Sequence, residues 1–325
     1  MQTFTDRLIG AIRKKRSILC VGLDPQLRYM PLHLKQWAVE SHGPTMEAVG
    51  RLFASAMNSI TDATADEAVV VKPQMAFYEG YGQWGMWAFE QVKAHAEERG
   101  LLVLEDAKRG DGGDTAEAYA DGHLGEVPFW GDSPDKLSTT RSPINCDAMT
   151  IQPQIGSACV THFVERAVKK YGKGIFLVTK TSFSPNSEVE QIQAASGIPV
   201  WQEMAKLAGK WGEGTEGESG WSNVGVVMGA TYPEDAPRMR EILPKAWFLV
   251  PGYGAQGGGA DGAVVGCTNE GLGCVVNSSR GINYAYAKGD FAAPPEQFAE
   301  AARRAAEYAR DDLNAALKRA GKFNF

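Results

Sequence analysis

Short apolar runs rich in β-branched residues punctuate the chain at intervals. They lie at 18–23 (ILCVGL), 68–72 (AVVVK), 101–105 (LLVLE), 148–151 (AMTI), 175–179 (IFLVT), 224–228 (VGVVM), 247–250 (WFLV) and 274–277 (CVVN). A strand buried on both faces reads as a continuous apolar run and not as an alternating one, so each is predicted to be an inner strand covered from two sides. Helical spacing fills the gaps at 45–62, 84–99, 158–171 and 199–211, and an Ala/Arg/Glu-rich amphipathic stretch at 298–320 closes the chain. Strand followed by helix, repeated eight times, predicts an α/β fold of the (β/α)8 TIM-barrel type with inserted loops. The first run starts close to the N-terminus and a covering helix follows the last, which favours a closed barrel over the alternative, an open doubly wound sheet.

Three segments exceed a minimal barrel. Residues 123–145 are rich in Gly, Pro, Ser and Asp without clear periodicity, 182–197 form a polar loop after the fifth run, and 212–222 (GEGTEGESGWS) are Gly/Glu-rich and expected to be mobile. Loops after barrel strands carry the chemistry, so the first two are candidates to cover a site, with surface decoration the alternative for each. A barrel takes roughly 250 residues as one unit, and the 325 residues are expected to form a single catalytic domain, 1–325.

Composition narrows the partners. A net charge of -6 without a basic stripe argues against nucleic acid. No apolar run approaches the ~18 residues of a membrane span, and the first 25 residues lack the layout of a secretion signal, so a cytoplasmic protein is expected. The cysteines (Cys20, Cys146, Cys159, Cys267, Cys274) are odd in number and scattered, which argues against a disulfide framework or a structural zinc site.

Charge is concentrated at the ends of the runs. The third leads into EDAKRGDGGD, placing Asp106, Lys108 and Asp111 at spacings of two and three. On an extended segment, residues two apart share a face, so Asp106 and Lys108 are both predicted to point into the barrel mouth, with Asp111 beyond the Gly110 turn. Asp24 follows the first run, and Lys72 ends the second after three valines. Two lysines among three aspartates form a candidate proton-transfer network, in which an ammonium held among carboxylates is a competent general acid. Structural ion pairs between strand ends are the other reading.

The opposite rim reads as an anion site. After the seventh run comes PGYGAQGGGADGAV, with glycines at 252, 254, 257, 258 and 259, and after the eighth comes NSSRGI, carrying Arg280. Glycines let backbone N–H groups approach an anion closely, and loops after strands seven and eight recur as phosphate sites in this fold. Arg280 is a charge-assisted donor beside that loop.

Together these segments resemble the orotidine 5'-monophosphate decarboxylase family, in its longer bacterial branch. DAKRGD at 106–111 matches the family's Asp-x-Lys-x-x-Asp signature, and LDP at 23–25, VKPQ at 71–74, PGYGAQGG at 251–258 and SSRGI at 279–282 follow in the family's order. The resemblance implies cofactor-free decarboxylation of orotidine 5'-monophosphate to UMP, in pyrimidine nucleotide biosynthesis, by a homodimer. It implies that Asp106 crowds the substrate carboxylate, Lys108 protonates C6, and Asp111 with Thr115 enters the neighbouring subunit's site. It further implies that Asp24 and Lys72 hold ribose hydroxyls, Ser182 reads the pyrimidine edge, and Gln256, Gly257 and Arg280 grip the phosphate. The chain departs from the family at Gly112, where isoleucine is common, at TSFSPN after the fifth run, where TSNP is usual, and at IQPQIG after the fourth, in place of an Asn-Pro-Tyr turn. Two other functions stay open. A magnesium-dependent sister enzyme acting on a keto-sugar phosphate is disfavoured by the cation at Lys72, and a non-catalytic nucleotide-binding protein would have to retain all five charged positions without using them.

Overall fold

A computed structural model describes residues 2–183, 188–254 and 257–325. Its strands are β1 (Leu19–Leu23), β2 (Ala68–Pro73), β3 (Leu102–Arg109), β4 (Glu126–Trp130), β5 (Leu137–Arg141), β6 (Ala148–Ile151), β7 (Gly174–Lys180), β8 (Val224–Met228), β9 (Phe248–Val250) and β10 (Cys274–Ser278). The eight apolar runs become eight parallel strands that close on themselves in the order β1-β10-β9-β8-β7-β6-β3-β2. Closure pairs each barrel strand on both sides, as β1 pairs with both β2 and β10. The fold is therefore the closed (β/α)8 barrel that the run spacing predicts.

Strands and helices are joined by continuous apolar packing. Every residue of β1, β2, β6, β7, β8 and β10 is buried, as two-sided burial requires. The outer helices present apolar stripes to them. Met46–Thr64 starts at the Thr45 cap and buries Leu52, Phe53, Met57 and Ile60. The last helix, Phe298–Arg319, covers β1 with small residues at helical spacing (Ala302, Ala305, Ala306, Ala309) before Leu313 and Leu317. The 158–171 stretch is helical but not uniform, since an α-helix over Ser157–Phe163 continues as a π-helical turn over Val164–Lys169.

Two inserts differ from their sequence-based expectation. Residues 123–145 do not cover the barrel mouth. They contain an antiparallel hairpin, β4 with β5, that follows the C-terminal end of the helix Gly113–Leu124 and leads into the start of β6. Arg141 pairs with Glu97 at the end of the helix Gly82–Glu98, and Lys173, just before β7, bonds Asn145, so the hairpin sits at the N-terminal face. A helix-to-strand connection can reach only that end of a barrel. Residues 212–222, Gly/Glu-rich as they are, are pinned: Asp6 accepts the backbone N–H groups of Glu218 (3.1 Å) and Ser219 (2.9 Å), and Trp221 is buried.

Candidate active site

The mouth at the C-terminal strand ends opens into a cavity of about 690 Å³. Asp24 after β1, Lys72 in β2, Asp106 and Lys108 in β3, Ser182 after β7 and Arg280 after β10 all line it. Parallel strands deliver residues far apart in the chain to one end of the barrel, so these six meet without any being a neighbour of all the others.

Asp106 is the centre of the charge. Its Oδ2 accepts from Lys72 Nζ at 2.8 Å and Gln74 Nε2 at 3.0 Å. Its Oδ1 accepts from Lys108 Nζ at 2.5 Å and Thr150 Oγ1 at 2.9 Å. Burial alone would raise this carboxyl, but the two ammonium groups outweigh it and hold Asp106 well below the usual carboxylate range. Lys72 mirrors it: burial works against its charge, and Asp106 and Asp24 more than restore it, so the ammonium is held above the ordinary lysine range. The two lysines differ in access, with side-chain exposure of 6% for Lys72 and 38% for Lys108. Both line the cavity, and Lys108 is the more accessible of the two.

The backbone presents Lys108 in an unexpected way. An extended pleat would aim Asp106 and Lys108 alike, but the β3–β6 register shifts between Glu105 and Arg109 and Lys108 has φ +49°. That left-handed conformation costs a residue with a Cβ about 1–2 kcal/mol. The Lys108 N–H is satisfied by Thr150 Oγ1 at 3.0 Å, which ties the irregular strand end to β6.

A family model described as "Orotidine 5'-phosphate decarboxylase / HUMPS family" matches residues 17–290, the span holding every strand of this barrel. The chain belongs to this family. It is 37% identical over 297 residues to the orotidine 5'-phosphate decarboxylase of Rhodopirellula baltica, covering 91% of this chain and 93% of that protein. The enzyme of the same name from Caldicellulosiruptor bescii is 33% identical, with 88% and 91% covered. Among solved structures, Leishmania donovani OMP decarboxylase superposes with a TM-score of 0.70 at 27% identity, covering 97% of this chain and 98% of that one.

Within this member of the family, the loop after β1 is braced around Asp24. The Tyr284 hydroxyl donates to Asp24 O at 2.8 Å and accepts from Gln26 N at 2.8 Å, while Tyr78 donates to Leu23 O at 3.2 Å. Gly22 has no room for a side chain, since a Cβ there would overlap the Ser279 hydroxyl, and this contact sets β1 against the end of β10. Asp24 Oδ1 is buried with no partner among the described residues, and burial, partly offset by Lys72, raises the carboxyl above its usual range.

Next to the β1 loop, after β10, Arg280 opens the short helix Arg280–Asn283 and is exposed at the cavity edge. Of the glycine-rich loop, Pro251, Gly252 and Tyr253 line the cavity, and the Tyr253 hydroxyl donates to Asp312 of the last helix at 2.9 Å. Gly257 is not among the lining residues. It has φ +92°, and its N–H donates to Gly254 O at 2.9 Å within the loop. Gln256 lies outside the described residues.

Asp111 and Thr115 are not brought to the cavity of their own chain. Both are exposed, and among the described residues the Asp111 carboxylate accepts only its neighbour Gly112 N–H, at 2.7 Å. Two residues of the site carried no role in the sequence. Thr150 is the lone hydroxyl in the AMTI run, and Gln74 stands in VKPQ, two positions beyond Lys72. Among the described residues, no group of three or more His, Cys, Asp or Glu side chains is placed to hold a metal ion, and no helix is long and apolar enough to cross a membrane.

Proposed function

We propose that this chain decarboxylates orotidine 5'-monophosphate to UMP as a single catalytic domain, residues 1–325, with Lys108 as proton donor. The observation that carries the reading is the ionised Asp106 gripped by Lys72 and Lys108 within a cavity whose rim bears Arg280. A substrate phosphate anchored by Arg280 and the loop after β9 places the orotate ring at the other end, with its carboxylate against Asp106. Two carboxylates side by side repel, and binding energy from the distant phosphate offsets that cost. The C6–carboxylate bond breaks, carbon dioxide leaves, and the electron pair stays on C6, where the Lys108 ammonium stabilises it and delivers a proton. The resulting amine regains its proton from water, for which its partial exposure suits it.

Asp24 and Lys72 are assigned to the ribose hydroxyls, Ser182 to the pyrimidine edge, and Gln256 and Gly257 to the phosphate with Arg280. Asp111 and Thr115, exposed and outside the cavity of their own chain, are assigned to a partner's site in a cytoplasmic homodimer. No cofactor enters this scheme. The test is loss of orotidine 5'-monophosphate absorbance with purified protein in EDTA. Turnover to UMP is expected, and its absence in folded protein would overturn the reading. A companion variant, Arg280→Ala, is expected to lower kcat/KM by about 100-fold with the fold intact, the scale of a lost charge-assisted pair.

A further inference from the structure

Behind the cavity wall lies a second buried cation that the scheme above does not use. Lys180, the last residue of β7, is 0% exposed. Its Nζ lies 3.5 Å from Glu190 Oε2, 3.6 Å from Asp235 Oδ2 and 4.3 Å from the centre of the Tyr232 ring. Glu190 belongs to the loop after β7, and Tyr232 and Asp235 to the loop after β8, so the ammonium joins the two. None of the four lines the cavity.

The groups around Lys180 hold the three residues that follow it. Glu190 Oε1 accepts the Thr181 N–H at 2.9 Å, Thr231 Oγ1 donates to Ser182 O at 3.0 Å, and the Tyr232 hydroxyl donates to Phe183 O at 2.6 Å. Thr181, Ser182 and Phe183 all line the cavity. The two loops also touch at Gly229, where a Cβ would come within 2.6 Å of Thr181 O, and the Gly229 N–H donates to Lys180 O at 3.0 Å. A buried ammonium is costly unless paired, and two carboxylates left facing each other without it would repel. Removing the cation would therefore separate the loops and release the wall segment. Asp24 after β1 and Lys72 on β2 stand across the barrel from this clamp and Arg280 follows β10, two strands from β8, while the glycine-rich loop after β9 meets the loop after β8 at Ala230, whose N–H donates to Pro251 O at 2.8 Å.

We propose that Lys180 is a positioning residue for nucleobase selectivity: by clamping Glu190, Tyr232 and Asp235 it holds the Thr181–Phe183 wall against the pyrimidine and bears far less on the ribose and phosphate contacts. This rests on the decarboxylase reading, in which Ser182 faces the base. The effect is specific in kind, because a general loss of structure weakens every ligand, whereas a displaced base wall weakens only ligands that carry a base.

The experiment titrates the full-length chain with UMP and, separately, with ribose 5-phosphate, by calorimetry, alongside the decarboxylation assay. In Lys180→Met, UMP is expected to bind about tenfold more weakly, while ribose 5-phosphate stays within about twofold. Equal weakening of both ligands, or of neither, would overturn the assignment. If Lys180→Met does not fold, Tyr232→Phe decides: it removes only the hydroxyl bond to Phe183, and about threefold weaker UMP binding with unchanged ribose 5-phosphate supports the clamp. Unchanged UMP binding in that variant overturns it. Wild-type protein that binds both ligands but turns over no orotidine 5'-monophosphate overturns the parent reading, a result separable from any change of selectivity in the variants.

Discussion

Thr150 and Lys108 are joined through one hydroxyl, which accepts the lysine's backbone N–H at 3.0 Å and donates to Asp106 Oδ1 at 2.9 Å. The left-handed turn at Lys108 and the orientation of the central carboxylate therefore share a single support on β6. Thr150→Val keeps the shape and removes both bonds. It is expected to lower kcat about 10- to 100-fold, since small misplacements of reacting groups cost on that scale, with KM changed little. Thr150→Ser should recover most of the rate. Steady-state kinetics of the two variants check this, and an unaffected Thr150→Val would remove the hydroxyl from the site.

Lys108 and Asp106 should separate activity from stability. Lys108 is partly exposed, so Lys108→Ala is expected to abolish measurable turnover, by at least about 1000-fold, without unfolding the chain. Asp106→Ala leaves buried Lys72 without its closest partner and is expected to destabilise the fold by about 3 kcal/mol. Urea midpoints measured beside kcat test the contrast, which near-normal turnover in Lys108→Ala would defeat.

Asp24 is expected to cost the fold stability at neutral pH. Burial raises its carboxyl, so between the ordinary value of 3.8 and its higher folded value the native state holds the extra proton. Stability falls as pH rises through that window, and the deficit persists at neutral pH. Asp24→Asn is thus expected to raise the Tm at pH 7 while weakening UMP binding. A lower Tm would show that the carboxylate's attraction to Lys72 matters more than its burial.

Asp6 acts in the opposite sense. Burial is the largest single influence and raises the carboxyl, but the bonds from Ser219, Thr3 and Glu218 together outweigh it and bring it down from 3.8 to about 2. The unfolded chain takes up its proton first, so the stability that Asp6 contributes is complete above about pH 4 and is lost as pH falls toward 2. Asp6→Asn should therefore be less stable than wild type at pH 6 and differ little at pH 2. Thermal melts across this range would refute the idea if the gap widened with acid.

A shared site has a simple signature. If Asp111 acts on the partner's substrate, mixing inactive Lys108→Ala and Asp111→Ala subunits creates dimers with one intact site. After subunit exchange, activity should recover to about one quarter of wild type, the statistical share for equal mixing in a two-fold dimer. A mixture as inactive as its components would place Asp111 elsewhere.

Much of this architecture was legible because it rests on two-sided burial. VVVK and VGVVM can be little else but inner strands, and the charges at their ends are exceptional enough to mark a mouth. What stayed hidden depends on contacts between distant segments. Lys108 breaks the pleat from which its direction was inferred, because Thr150 on β6 holds its backbone. The 212–222 loop has the composition of a mobile segment, yet Asp6, at the other end of the chain, fixes it. The Lys180 clamp draws its partners from two loops without periodicity, and Glu105, which ends an apolar run, is a buried carboxyl hydrogen-bonded to His123 Nδ1 at 2.8 Å.

The β4–β5 hairpin lies at the end of the barrel away from the mouth, and its turn at residues 131–136 is largely exposed. A surface anchor or fused carrier attached there would hold every molecule in one orientation, with its open end toward the bulk solution. Immobilised in that way, the protein would meet incoming nucleotide without obstruction from the support.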